Sequence, residues 1–128
     1  MELSHLSTRY WEAMPREQVR PGVSRCAFRG DQVLLVMNWL EPGMEVRPHS
    51  HPFEQVVYVV QGKMSFWVEG QEIEVDKGGM LRIPPDAEHC GAPIGEETQD
   101  ASFVMHLKMK NSHSNWLHTK SVNKPKIQ

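Results

Sequence analysis

The feature that most constrains this chain is its punctuation: short apolar runs follow one another, each closed by a turn signal. Cys26-Ala27-Phe28 ends at Arg29-Gly30-Asp31, Val33 to Leu40 at Glu41-Pro42-Gly43, and Val56 to Val60 at Gln61-Gly62. Met64 to Val68 ends at Glu69-Gly70, Ile73 to Val75 at Asp76-Lys77-Gly78-Gly79, and Leu81 to Ile83 at Pro84-Pro85-Asp86. Phe103 to Met109 is the last run. Gly and Pro supply the backbone angles that tight turns need. Runs of this length, rich in Val, Ile, Phe and Trp, indicate an antiparallel β-sandwich or barrel. The stretch from Phe66 to Val75 alternates around Glu69-Gly70 and predicts a hairpin.

Helical signals are sparse. Residues 4–14 suit a short helix or an extended arm, with Pro15 as a stop. The chain therefore divides into an N-terminal arm or short helix over 1–24, a barrel over 25–108 and a polar tail over 109–128. A length of 128 residues suits one domain with one sizeable core. A formal net charge of −2 gives no electrostatic reason to expect nucleic acid or an anionic membrane as a partner. Cys26 and Cys90 are far apart and form no disulfide framework, which points to a reducing compartment. No apolar run is long enough to cross a bilayer and no signal pattern opens the chain, so a cytoplasmic location is expected. The arm, with Tyr10 and Trp11, could cover a neighbour's exposed sheet edge, and a homodimer is expected.

His49, His51, Phe53 and Gln55 follow one another at steps of two residues. In an extended strand they share a face, so two imidazoles and an amide carbonyl would point the same way. Neutral imidazoles at this spacing are a plausible chelating pair for a transition metal. An isolated His-x-His is more often a polar strand edge. Glu54 is the rival to Gln55, placed on the opposite face unless Pro52 forces a bulge.

The surroundings of this segment resemble the cupin superfamily. Its first motif, G-x5-H-x-H-x3,4-E-x6-G, is met by Gly43-MEVRP-His49-Ser50-His51-PFE-Gln55-VVYVVQ-Gly62. Its second, G-x5-P-x-G-x2-H-x3-N, is met by Gly78-GMLRI-Pro84-Pro85-Asp86-Ala87-Glu88-His89, with Pro93 in place of the terminal Asn. The resemblance covers residues 25–108. It implies an all-β double-stranded β-helix, or jelly-roll barrel, holding one divalent transition metal ion (Fe, Mn, Ni, Zn or Co) near its mouth. By the same resemblance His49, His51 and His89 are ligands, and Gln55 stands where the family has glutamate. A neutral amide in place of a carboxylate leaves the ion its full double charge, which favours Lewis-acid chemistry over oxidation. Asp86 replaces a turn glycine, and Asp tolerates a left-handed backbone better than most residues.

Other residues carry weaker expectations. Met37, Trp39, Phe53, Val57, Phe66 and Met105 are expected to line the barrel, with Tyr58 adding a hydroxyl. His106 alternates with Phe103, Met105 and Leu107; it is a surface histidine on that register and a proton donor on the other. Catalytic candidates are therefore His106, Tyr58 and Glu54. Phe53, Phe66, Arg82, Phe103 and Lys108 are candidates for contacting a small-molecule substrate. Cys90 is expected to be a buried small residue turned away from His89.

The fold leaves the reaction open, because cupins include enzymes and non-catalytic binders. Lewis-acid chemistry on a small oxygen-rich metabolite, of lyase, isomerase or cyclase type, follows most directly from a three-histidine site with a neutral fourth ligand. The alternatives are a non-haem Fe(II) dioxygenase and a metabolite- or sugar-binding module. The likeness narrows to small cupins that open unsaturated uronate sugars, in which His-x-His-Pro-x-Glu-Gln also occurs. That group has an acid, a phenylalanine and an arginine on its last strand. Here Phe103 matches, Ala101 stands where the acid would fall, and Lys108 substitutes for the arginine.

Overall fold

The computed structural model describes residues 6–105, side chains at 101 and 103–105 excepted. Among these described residues a 3-10 turn, Trp11–Ala13, precedes nine strands. They are β1 (Glu17–Arg20), β2 (Val23–Arg29), β3 (Val33–Leu40), β4 (Gln55–Gln61), β5 (Lys63–Val68), β6 (Gln71–Asp76), β7 (Met80–Ile83), β8 (His89–Pro93) and β9 (Thr98–Met105). All pairings are antiparallel, in a six-stranded sheet ordered β1-β2-β3-β9-β4-β7 and a three-stranded sheet ordered β6-β5-β8. The last strand lies between β3 and β4, which closes the jelly roll. Among the described residues no helix is long and apolar enough to cross a membrane.

The main core lies between the sheets and includes Val23, Leu40, Val57, Val59, Met64, Phe66 and Ile83. The β5–β6 hairpin turns at Glu69 and Gly70, where the predicted turn falls, with φ of 50° and 82°. Two left-handed residues match the twist of the flanking strands, and glycine reaches this conformation without a steric penalty.

Two strands, and the start of a third, were not apparent from apolar runs. β1 and β8 are short, and β8 contains Gly91 and Pro93, so neither shows the alternation that reveals a strand. The last strand begins at Thr98, before the apolar run, because Thr98, Asp100 and Ser102 are polar yet buried. Part of the segment read as an arm thus belongs to the chain's own sheet, with Glu17–Arg20 paired to β2.

Met37 and Trp39 do not line the barrel. They pack with Cys26 on the outer face of the sheet, where Trp11, Met14, Leu35 and Val60 join them. The Arg16 guanidinium sits 3.8 Å from the centre of the Trp39 ring. The run Val33 to Leu40 is apolar in both phases, so alternation could not choose the inward one. The N-terminal segment covers the outward phase, leaving Leu34, Val36, Asn38 and Leu40 facing in.

Candidate metal centre and substrate pocket

Three imidazoles converge. His49 and His89 are joined by reciprocal backbone hydrogen bonds: His49 N–H donates to the His89 carbonyl at 3.0 Å, and His89 N–H to the His49 carbonyl at 2.8 Å. This bridge ties the loop before β4 to the start of β8. His51 is fixed from the other side, its carbonyl accepting from the Asp86 N–H at 2.7 Å. Asp86 reaches that position with φ of 66°, the left-handed backbone for which Asp is suited. Ring centroids are 4.4 Å apart for His49–His89, 4.9 Å for His51–His89 and 5.8 Å for His49–His51. One ligating nitrogen from each residue lies within 4.8 Å of the others.

The hydrogen bonds define which nitrogen faces the centre. Nδ1 of His49, His51 and His89 lies 3.0, 2.9 and 2.9 Å from the carbonyls of Arg47, Phe53 and Ala87. A carbonyl can only accept, so each Nδ1 carries the proton and each Nε2 presents a lone pair inward. His89 Nε2 is buried with no hydrogen-bond partner. His51 Nε2 lies 3.0 Å from Gln55 Oε1, while Gln55 Nε2–H donates to Ser102 Oγ at 3.1 Å. A lone pair facing a carbonyl oxygen at that distance is relieved by a cation shared between them. Burial pushes His49 down to about 4 and His89 down to about 3, with repulsion between the rings adding to it, and burial lowers His51 as well. Imidazoles held neutral need lose no proton to bind a metal. This donor set fits a divalent transition ion.

Only part of the expected strand geometry underlies this arrangement. The chain bends at Pro52 and Phe53, and β4 begins at Gln55. Phe53 leaves the shared face: its ring stacks on His51 at 4.2 Å and packs with Leu34 and Val36, behind the site. Glu54 lies outside the barrel, paired with Arg82. Both are therefore removed from the site, Glu54 as a ligand or catalyst and Arg82 as a substrate contact. Tyr58 is exposed on the outer phase of β4 and is no catalytic candidate. Phe66 faces the pocket, where Gly91 makes room for it; a Cβ on Gly91 would lie 2.7 Å from the Phe66 ring. Phe103 is in register with Leu35 and Val56, one residue out of phase with buried Ser102. Cys90 is buried opposite Trp67, and burial pushes its thiol up to about 11. His106 and Lys108 lie outside the described residues.

The imidazoles open on a cavity of about 270 Å3 whose polar wall holds residues that no motif marked. Asp100 on β9 is buried, and desolvation raises its carboxyl to about 6. Asn38 Nδ2–H donates to Asp100 Oδ1 at 2.9 Å. Arg20 and Arg25 reach the same cavity from β1 and β2. The available signal was strand phase on β9: Asp100 and Ser102 share a face, whereas Ala101 does not.

The family model for the cupin domain matches residues 39–106, more than half of the chain. The chain belongs to the cupin family. This cupin is 33% identical over 69 residues to the polyketide synthase CurC of Streptomyces cyaneus, an alignment spanning 53% of this chain and 44% of CurC. It is 29% identical over 59 residues to quercetin 2,3-dioxygenase of Bacillus subtilis (strain 168), spanning 45% of this chain and 18% of that enzyme. The chain thus spans less than half the length of these curated relatives. The solved structure of KdgF from Halomonas sp. shares the fold, with a TM-score of 0.72 at 21% identity, covering 78% of this chain and 94% of that one.

Proposed function

We propose that this cupin is a metal-dependent enzyme of lyase, isomerase or cyclase type, moving a proton on a small oxygen-rich metabolite. The observation that carries this reading is a buried carboxyl, Asp100, lining the same cavity as three imidazoles, where desolvation raises it. A divalent ion held by His49, His51, His89 and Gln55 would supply Lewis acidity toward a substrate oxygen. The neutrality of all four side chains favours that use of the ion over its oxidation.

The remaining chemistry falls to the protein. With a carboxyl raised to about 6, Asp100 is ionised at neutral pH yet basic enough to take a proton from a substrate carbon or hydroxyl, and to return it elsewhere. Asn38 holds one carboxylate oxygen of Asp100 by its amide N–H. The Asn38 Oδ1 is buried with no hydrogen-bond partner, an acceptor suited to a substrate hydroxyl. Phe66, Val57 and Ile83 form an apolar wall of the cavity and limit water around the reacting atoms.

Solvent-proton exchange under nitrogen tests this. Protein loaded with Zn(II) or Mn(II) is incubated in D2O with a panel of small hydroxy-acids and hydroxy-ketones, and deuterium uptake or isomerisation is followed by mass spectrometry. The expected result is turnover without oxygen that disappears in Asp100→Asn. Turnover that requires Fe(II) and consumes oxygen would instead establish the dioxygenase reading, to which the quercetin dioxygenase likeness lends support.

A further inference from the structure

The charged wall of the cavity is unequal in sign. Arg20, Arg25 and Arg47 line it against one acid, Asp100. Arg47 pairs at the exposed rim with Glu45, Nε to Oε2 2.6 Å. Arg20 and Arg25 lie further in. Arg25 sits opposite Asn38 on β3, which sits opposite Asp100 on β9, so a polar row crosses three neighbouring strands on their concave face. Arg20 sits opposite Val23, a core residue, which puts it on the same face of β1. Its Nε–H donates to the Glu45 carbonyl at 2.8 Å, fixing the plane of the guanidinium and using one of its five donors.

These two cations crowd each other. Burial pushes Arg25 down to about 10, with Arg20 the next cause, while Asp100 and then Glu17, which lies opposite Arg25 on β1, offset part of it. Burial and then Arg47 lower Arg20, and Glu45 offsets part of this. Two guanidiniums lining one cavity, the Arg20 plane fixed by its bond to Glu45, match a carboxylate, whose two oxygens accept parallel N–H bonds. A volume of about 270 Å3 restricts the anion to a compact molecule.

We infer that Arg20 and Arg25 form a subsite for the carboxylate of a small hydroxy-acid substrate, with Asn38 Oδ1 in the same row accepting from its hydroxyl. This names the substrate class and rests on the functional reading above for the identity of the pocket. It also gives the N-terminal strand a role in recognition: β1 supplies one half of the anion clamp.

The test compares salicylate with its uncharged analogue salicylamide, by calorimetry on the full chain with and without Zn(II). The wild-type protein should prefer salicylate by about tenfold or more in both states. Arg20→Gln and Arg25→Gln should each weaken salicylate about tenfold, leave salicylamide within about twofold, and leave zinc content unchanged. Equal binding of acid and amide, no salicylate binding, or a preference seen only with zinc and unmoved by either arginine substitution would overturn the inference. A wild-type protein that takes up no zinc would defeat the functional reading, while the metal-free comparison still decides the subsite. Should either substitution prevent folding, the wild-type comparison of acid and amide decides alone.

Discussion

Ser102 is buried and does not line the cavity, yet its removal should weaken metal binding. Its Oγ accepts the Gln55 Nε2–H at 3.1 Å, and that bond turns the Gln55 Oε1 toward His51 Nε2, 3.0 Å away. In Ser102→Ala the amide loses the partner that orients it. Without metal it can turn over and donate its NH2 to the His51 lone pair, an arrangement that suits the empty protein and opposes the ion. A neutral buried hydrogen bond is worth about 1 kcal/mol net. Loss of a residue that orients a metal ligand typically costs about 10- to 100-fold in affinity, which is about 1.4–2.7 kcal/mol. The reoriented amide recovers part of the lost bond, so the metal-free variant should melt within about 1 kcal/mol of wild type. Competition for Zn(II) against a chromophoric chelator reads the affinity, and thermal melting of the chelator-treated protein reads the fold. Affinity within about twofold of wild type, with lowered stability, would show Ser102 to be a packing residue only and would refute the orienting role.

The remaining expectations concern charge and packing. Gln55→Glu adds a negative charge at the centre and should raise affinity for Mn(II) and other hard ions, whereas Glu54→Gln, which only breaks an exposed pair with Arg82, should leave metal content unchanged and stability within about 1 kcal/mol; the two are compared by metal analysis after dialysis. The Asp100 carboxyl titrates at about 6 in the fold against an ordinary 3.8, so the folded protein binds the proton more tightly. Its contribution to stability is therefore fully present below 3.8 and lost as pH rises through about 6. Denaturant unfolding should accordingly show wild type losing up to about 3 kcal/mol relative to Asp100→Asn over that window, at about 1.4 kcal/mol per pH unit, and a pH-independent difference would contradict the assignment. Gly91→Ala drives a methyl group to 2.7 Å from the Phe66 ring and should cost about 1–3 kcal/mol while shrinking the cavity, measured by melting and by salicylate binding.

Candidate metal ligands and pocket were not equally visible in the chain. Ligand motifs are local: His49, His51 and Gln55 fall within seven residues, and His89 follows its own proline-rich turn, so their spacing can be read directly. The polar wall is not local. Arg25, Asn38 and Asp100 become neighbours only through the pairing of β2, β3 and β9, with Asn38 and Asp100 alone 62 positions apart along the chain. Each alone reads as a polar residue in or beside an apolar run. The inward phase of β3 was equally hidden, because apolar residues occupy both of its faces.

By itself, then, the sequence determined an antiparallel β sandwich or barrel, since turn residues act over a few peptide units, and its resemblance to the cupins implied the jelly roll and pointed to the three histidines. Tertiary structure decided the rest. It chose Leu34, Val36, Asn38 and Leu40 over Met37 and Trp39 as the inward set, because the N-terminal segment covers the opposite face. It placed Gln55 rather than Glu54 beside the imidazoles, because the chain bends at Pro52 and Glu54 finds Arg82 outside. It also gathered Arg20, Arg25 and Asp100 around one cavity, because antiparallel pairing aligns inward positions that no local pattern connects.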